Sequence, residues 1–267
     1  MPKRIAKVLT GAVLLALSAS AIVYAEPSAT KSEVGSPHWS YEGSTGPGHW
    51  GDLSPDYAAC KTGKEQSPIN IKTFQANESG ANEKVKVQYK TTAFTFGHNG
   101  HTIQANTAST ANQLTIGGKA YTLAQFHFHT PSEHEINGKS SPLELHLVHK
   151  SLEGNLAVLG VLIKEGKANA ALGELWSKLP KTQTSTDLAL KSPIELNKIL
   201  PGDLDAYRYQ GSLTTPPCSE GVKWTVLEEP IQMSKAQIRA FQTIFPDNHR
   251  PVQPVHGRIV NETEVKK

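Results

Sequence analysis

Two stretches of this chain alternate so strictly that each reads as a strand with one wholly apolar face and one face that carries its polar side chains. In Gln125-Phe126-His127-Phe128-His129 the aromatic rings fall on one side of an extended chain, and Gln125, His127 and His129 fall on the other. In Leu143-Glu144-Leu145-His146-Leu147-Val148 the leucines share one face, while Glu144, His146 and Val148 share the opposite one. Pro131, Asn137-Gly138 and Pro142 lie between the two stretches and suit a turn that returns the second strand beside the first. Paired in that way, the strands bring three imidazoles to one place.

The same period of two recurs along the chain. Val85 to Tyr89, His101 to Ala105 and Gln113 to Ile116 alternate, and Gly117-Gly118 marks a hairpin between Leu114-Thr115-Ile116 and Tyr121-Thr122-Leu123. Leu156 to Ile163 is nearly all apolar, as a central strand buried on both faces should be. Helix signals are fewer. Ala168 to Leu179 reads as a helix stopped by Pro180. Ser234 to Phe245 begins with a capping box, Ser234 and Gln237, and spaces Ile238, Phe241 and Phe245 along one helical face. Ser36 to Ser67, rich in Gly, Pro, Trp and Ser, reads as an irregular segment wrapped on the domain. The expected fold is mostly β: a single domain with a large central, mainly antiparallel twisted sheet and a few short peripheral helices.

The first 25 residues read as a secretory signal peptide. Lys3, Arg4 and Lys7 precede an apolar run from Val8 to Leu17, and Val23-Tyr24-Ala25 places small residues where a cleavage site needs them. Thr10, Gly11, Ser18 and Ser20 interrupt a core already too short for a spanning helix, so no stable membrane anchor is expected after cleavage. Residues 26–267 are then the mature domain. The chain has 27 Lys+Arg against 24 Asp+Glu, and three of those bases sit in the leader, so the mature domain is neutral. It has no basic footprint for nucleic acid or an anionic membrane. Two cysteines in an exported chain, Cys60 and Cys218, are expected to form a disulfide.

Three neutral imidazoles suit Zn²⁺, which prefers four ligands in a tetrahedron. With His127, His129 and His146 as the protein ligands, one position stays open, the mark of a catalytic rather than a structural site. One zinc per chain is expected.

The two ligand strands resemble those of the α-class carbonic anhydrases. The resemblance covers nearly the whole mature chain: His38-Trp39-Ser40-Tyr41, His49-Trp50, Gln66-Ser67-Pro68-Ile69-Asn70-Ile71, Asn99-Gly100-His101, Ser132-Glu133-His134, Gly211 through Cys218, and Asn248-His249-Arg250-Pro251-Val252-Gln253-Pro254. Thr130-Pro131-Ser132 and the cysteine pair resemble secreted bacterial members, which implies the periplasm. The resemblance implies a zinc lyase that reversibly hydrates carbon dioxide to bicarbonate and a proton, through attack by zinc-bound hydroxide and histidine-mediated proton transfer to solvent. Gln125 would then hold His127, Glu144 would hold His146, and a backbone carbonyl would stand behind the middle ligand, His129. Thr214 matches the gatekeeper that accepts from the hydroxide and donates to Glu133, and His101 matches the proton shuttle. Tyr41 and Asn99 match residues that order the water path. Gln104 departs from the Asn that well-studied members carry there. Val148, Val158, Leu213, Thr215, Val222 and Trp224 match the substrate pocket, and His134 is placed beside Glu133 in a structural network. A homodimer is compatible with the resemblance, although no segment marks a dimer face. Non-catalytic relatives lose a ligand or the gatekeeper, and a zinc carrier would show a His-rich loop; this chain keeps the first set and lacks the second.

Overall fold

A computed structural model describes residues 37–78 and 84–267, and the expected leader, 1–25, lies outside them. The centre is built from β1 (Thr95–His98), β2 (Ile103–Asn106), β3 (Gln113–Ile116), β4 (Lys119–His129), β5 (Leu143–Lys150), β6 (Leu156–Glu165), β7 (Ala206–Ser212) and β8 (Glu220–Met233). They run in the spatial order β1-β2-β4-β5-β6-β8-β7 within a thirteen-stranded sheet, with β3 also on β4. Neighbours are antiparallel except for β6 and β8, which are parallel. Shorter marginal strands add two further parallel pairings. Gly117 and Gly118 take φ of 57° and 81°, the left-handed pair that a two-residue hairpin requires, and turn β3 into β4 as expected.

Strand register decides what reaches the site. His146 on β5 lies directly opposite His127 on β4, and His127 lies opposite Gln104 on β2. One step along, Gln125, Val148, Val158 and Trp224 form a second row across β4, β5, β6 and β8. The alternate residues, among them Phe126, Phe128, Leu145, Leu147, Leu159 and Val161, face a large apolar core. Each fully buried side chain of this kind contributes about 1.5–3 kcal/mol relative to leaving it in water. On the other face Val158, Trp224, Tyr209 and Val226 pack with Ile69 and Ile71 in a smaller core. The ligand strands are therefore clamped from behind and flanked in front.

Three segments differ from expectation. Residues 37–67 are not simply irregular: Trp50–Leu53 and Ala59–Thr62 form short helices that pack Trp50 and Tyr57 around the Cys60–Cys218 disulfide. His101 precedes the strand instead of opening it. Asn99 Oδ1 accepts the N–H of both His101 and Thr102 at 2.9 Å, and Gly100 takes φ of 97°, so 99–102 is a turn and β2 starts at Ile103. The helix expected over 168–179 is limited to Gly173–Ser177, because Gln237 engages both backbone groups of Asn169 and holds that stretch as a loop. The second helix, α1 (Lys235–Ile244), has its capping box from Ser234 and Gln237. No helix among the described residues is long and apolar enough to cross a membrane.

Candidate metal centre

His127, His129 and His146 each present a ring nitrogen to a common point, the three nitrogens lying within 4.8 Å of one another. The other ring nitrogen of each is committed. His127 Nδ1–H donates to Gln125 Oε1 at 2.8 Å, His129 Nδ1–H to the Asn248 carbonyl at 2.7 Å, and His146 Nε2–H to Glu144 Oε1 at 2.9 Å. Those bonds fix each tautomer, so the inward nitrogens, Nε2, Nε2 and Nδ1, carry lone pairs. His129 Nε2 is buried with no hydrogen-bond partner in the protein. An orphaned buried acceptor of this kind is costly, and a cation held at the common point would satisfy it.

Electrostatics keep the rings neutral. Burial lowers His127 well below the usual imidazole range, with help from the neighbouring His129 and His146, and burial lowers His129 to about 4. Burial also lowers His146, against the pull of Glu144. Burial would raise Glu144, but its neighbours His134 and His146, whose ring N–H groups both donate to it, reverse this and hold it well below the usual carboxylate range. His134 is bonded to Glu144 and not to its sequence neighbour Glu133. Its backbone N–H reaches Glu144 Oε2 at 2.8 Å and its ring Nδ1–H reaches Oε1 at 2.7 Å, while its Nε2 accepts from the Tyr209 hydroxyl at 2.7 Å. His134, Glu144 and His146 are also close enough to hold an ion, but these hydrogen bonds already occupy their facing atoms.

Glu133 is fixed from two directions. Its Oε1 accepts the Arg250 backbone N–H at 2.8 Å, and its Oε2 faces His146 Nδ1 at 3.9 Å. Burial raises its pKa, opposed by His146, the Thr214 hydroxyl and Arg250. Arg250 and Asn248 received no role from the sequence, although both fall in a motif that carried the resemblance. Arg250 is 1 % exposed, and its guanidinium donates to Gln66 Oε1, the Ser67 carbonyl and the Cys60 carbonyl at 2.8–2.9 Å. It thereby links the disulfide to Glu133.

A cavity of about 140 Å³ opens over the three nitrogens. Thr214 and Thr215 line it beside an apolar wall of Val148, Val158, Leu213 and Trp224, and the exposed Asn99 with the half-buried Tyr41, His101 and Gln104 marks its mouth. His101 stacks on Trp39 with centroids 3.6 Å apart. Burial and the nearby His38 and His98 lower its pKa. Val222 does not line the cavity; it sits in the smaller core behind the wall.

A wide sheet with three converging imidazoles on one face defines a class of protein whose site could hold a metal ion. Residues 45–264 match the family model described as eukaryotic-type carbonic anhydrase. A carbonic anhydrase of Pectobacterium carotovorum is 44% identical over 230 residues, covering 86% of this chain and 92% of the relative. Among solved structures, the α-carbonic anhydrase of Thermovibrio ammonificans in complex with the inhibitor sulfanilamide superposes with a TM-score of 0.81 at 47% identity, covering 85% of this chain and 99% of that one. The Photobacterium profundum α-carbonic anhydrase superposes with a TM-score of 0.77 at 42% identity, covering 84% and 99%. The chain belongs to the α-class carbonic anhydrase family and is an enzyme of that family.

Proposed function

We propose that this chain performs zinc-dependent, reversible hydration of carbon dioxide to bicarbonate and a proton, with His127, His129 and His146 holding one zinc ion. The observation that carries this reading is the set of three inward nitrogens, each kept in the ligating tautomer by Gln125, Asn248 or Glu144. Zinc in such a site supplies the Lewis acidity that makes water a nucleophile at neutral pH. Three uncharged ligands preserve the full charge of the cation.

The chain's own groups do the rest. Thr214 donates its hydroxyl hydrogen bond to Glu133, whose carboxylate the Arg250 N–H anchors. The Thr214 oxygen then has only a lone pair to offer, and it orients the attacking oxygen toward the substrate. Val148, Val158, Leu213 and Trp224 form an apolar seat for carbon dioxide, with Thr215 at its edge and Val222 supporting the wall from behind. His101, at the mouth with its pKa lowered, is neutral at working pH and accepts the released proton through water ordered by Tyr41, Asn99 and Gln104. The enzyme acts after export to the bacterial periplasm with residues 1–25 removed, a reading that the Cys60–Cys218 disulfide supports.

The test is carbon dioxide hydration by the purified mature protein before chelation, after chelation and after zinc is restored. Activity that follows zinc content, and is lost together with zinc in His127→Ala, supports the reading. Hydration that survives complete metal removal ends it.

A further inference from the structure

From Asn99 and Gln104 in the cavity lining outward to Asn106, a row of side-chain amides has its polarity pinned from both ends. At one end Asp187, whose carboxylate only accepts, takes Asn106 Nδ2–H at 2.8 Å and Thr95 Oγ1–H at 3.1 Å, both on Oδ2. Asn106 must therefore turn its Oδ1 the other way, where it accepts Gln104 Nε2–H at 2.7 Å. At the opposite end, Asn99 Oδ1 is used by the His101 and Thr102 N–H groups, so its Nδ2–H is the group left to face Gln104 Oε1, at 3.5 Å. Both ends demand the same orientation of Gln104: nitrogen toward Asn106, carbonyl oxygen toward Asn99 in the mouth.

The Asp187 loop reaches this row because Gly97 lets it. Gly97 is the cross-strand partner of Gln104. A Cβ on Gly97 would sit 2.6 Å from Thr184 Oγ1 and 2.8 Å from Asp187 Oδ1, closer than carbon tolerates. Thr184 is also tied to β1, its N–H reaching the His98 carbonyl at 3.0 Å and its Oγ1 accepting the His98 N–H at 3.2 Å.

We propose that Asp187 and Asn106 are positioning residues for proton release, holding Gln104 with its carbonyl oxygen presented to the water path between the site and His101. This rests on the proposed shuttle role of His101. Water beside that carbonyl oxygen can only donate to it, so its remaining proton and lone pairs point in a set direction. Without the carboxylate at 187, only the longer Asn99 contact, at 3.5 Å, still sets the sense of the Asn106 and Gln104 amides, and the water beside them loses much of its fixed direction.

The experiment compares Asp187→Ala, Gln104→Ala and the double variant with the parent enzyme in weak buffer. Asp187 is exposed, so the fold is expected to survive. Asp187→Ala should lower kcat by about twofold to tenfold, the rate equivalent of one hydrogen bond, and leave kcat/KM unchanged. Added imidazole should restore kcat. In the Gln104→Ala background the same change should have no further effect. The Gln104 side-chain amide signals in the NMR spectrum should shift in Asp187→Ala, a readout independent of turnover. An unchanged kcat, a loss that persists undiminished without Gln104, an equal fall in kcat/KM, or unmoved Gln104 signals would each overturn the proposal. His101→Ala is the control: if it leaves kcat in weak buffer unchanged, the shuttle reading itself fails. If it slows turnover while Asp187→Ala does not, the shuttle stands and the positioning role falls.

Discussion

His134 and His146 converge on a single oxygen of Glu144, at 2.7 and 2.9 Å. That oxygen sets the His146 tautomer, and His134, itself held by Tyr209 and through it by Ser67, keeps the oxygen in place. Glu144→Ala should therefore free the His146 ring and leave His134 Nδ1–H buried without an acceptor. Metal affinity should fall by about tenfold to a hundredfold, the range for losing a group that orients a ligand. Zinc dissociation measured with a chromophoric chelator checks this, and parental retention would show that packing alone orients His146.

The disulfide closes a loop of 158 residues. In the chain-entropy account, cross-linking so long a loop limits the unfolded ensemble and stabilises the fold by about 5 kcal/mol. Replacing both Cys60 and Cys218 by serine should lower the free energy of unfolding by an amount of that order, read from urea denaturation. A loss below about 1 kcal/mol would mean that the open unfolded chain is no freer than the linked one. The carbonyls of both cysteines also accept hydrogen bonds, from Arg250 and from Gln66, so part of the loss should appear as a loosened Glu133 support.

The period-two pattern makes the histidine-bearing strands legible in the sequence, because alternation fixes which side chains share a face whatever the rest of the fold does. Val148 could be placed beside His146 by the same reasoning. Arg250 could not be assigned a task, since its partner Gln66 lies 184 residues away and no local pattern reports so distant a contact. The acceptor behind His129 is the Asn248 main-chain carbonyl, a group every residue possesses, so its identity leaves no mark in the sequence. His101 was expected on a strand because its neighbours alternate, yet the Asn99 side chain competes for the backbone N–H groups and makes a turn there.

His101 lies against Trp39 at the cavity mouth and outside the ligand set. His101→Ala should keep its zinc and its kcat/KM for hydration while kcat falls by about tenfold or more in weak buffer, the scale of a lost acid-base group. Imidazole in the buffer should recover much of that loss by carrying the proton instead. Stopped-flow hydration at several buffer concentrations checks this, and a kcat insensitive to both the substitution and the buffer would remove His101 from the proton path.

His149 offers a test of pH-dependent stability away from the ligand set. It follows the β-bulge after Val148 and its Nε2 meets the Tyr89 hydroxyl at 2.7 Å in the interior. Burial lowers its pKa from 6.5 to about 4. Above the unfolded value the ring is neutral in both states, so its full contribution is present. As pH falls between the two values the unfolded chain gains a proton that the folded chain excludes, and stability drops; below about 4 this residue costs nothing further. The difference across that window is up to about 3 kcal/mol. His149→Gln keeps an acceptor for Tyr89 and removes the titration. Unfolding free energies at about pH 7 and about pH 4.5 should therefore differ less in the variant than in the parent, the other histidines being common to both. Equal differences in the two proteins would mean that His149 is protonated in the folded state, which the cost of burying a charged ring argues against.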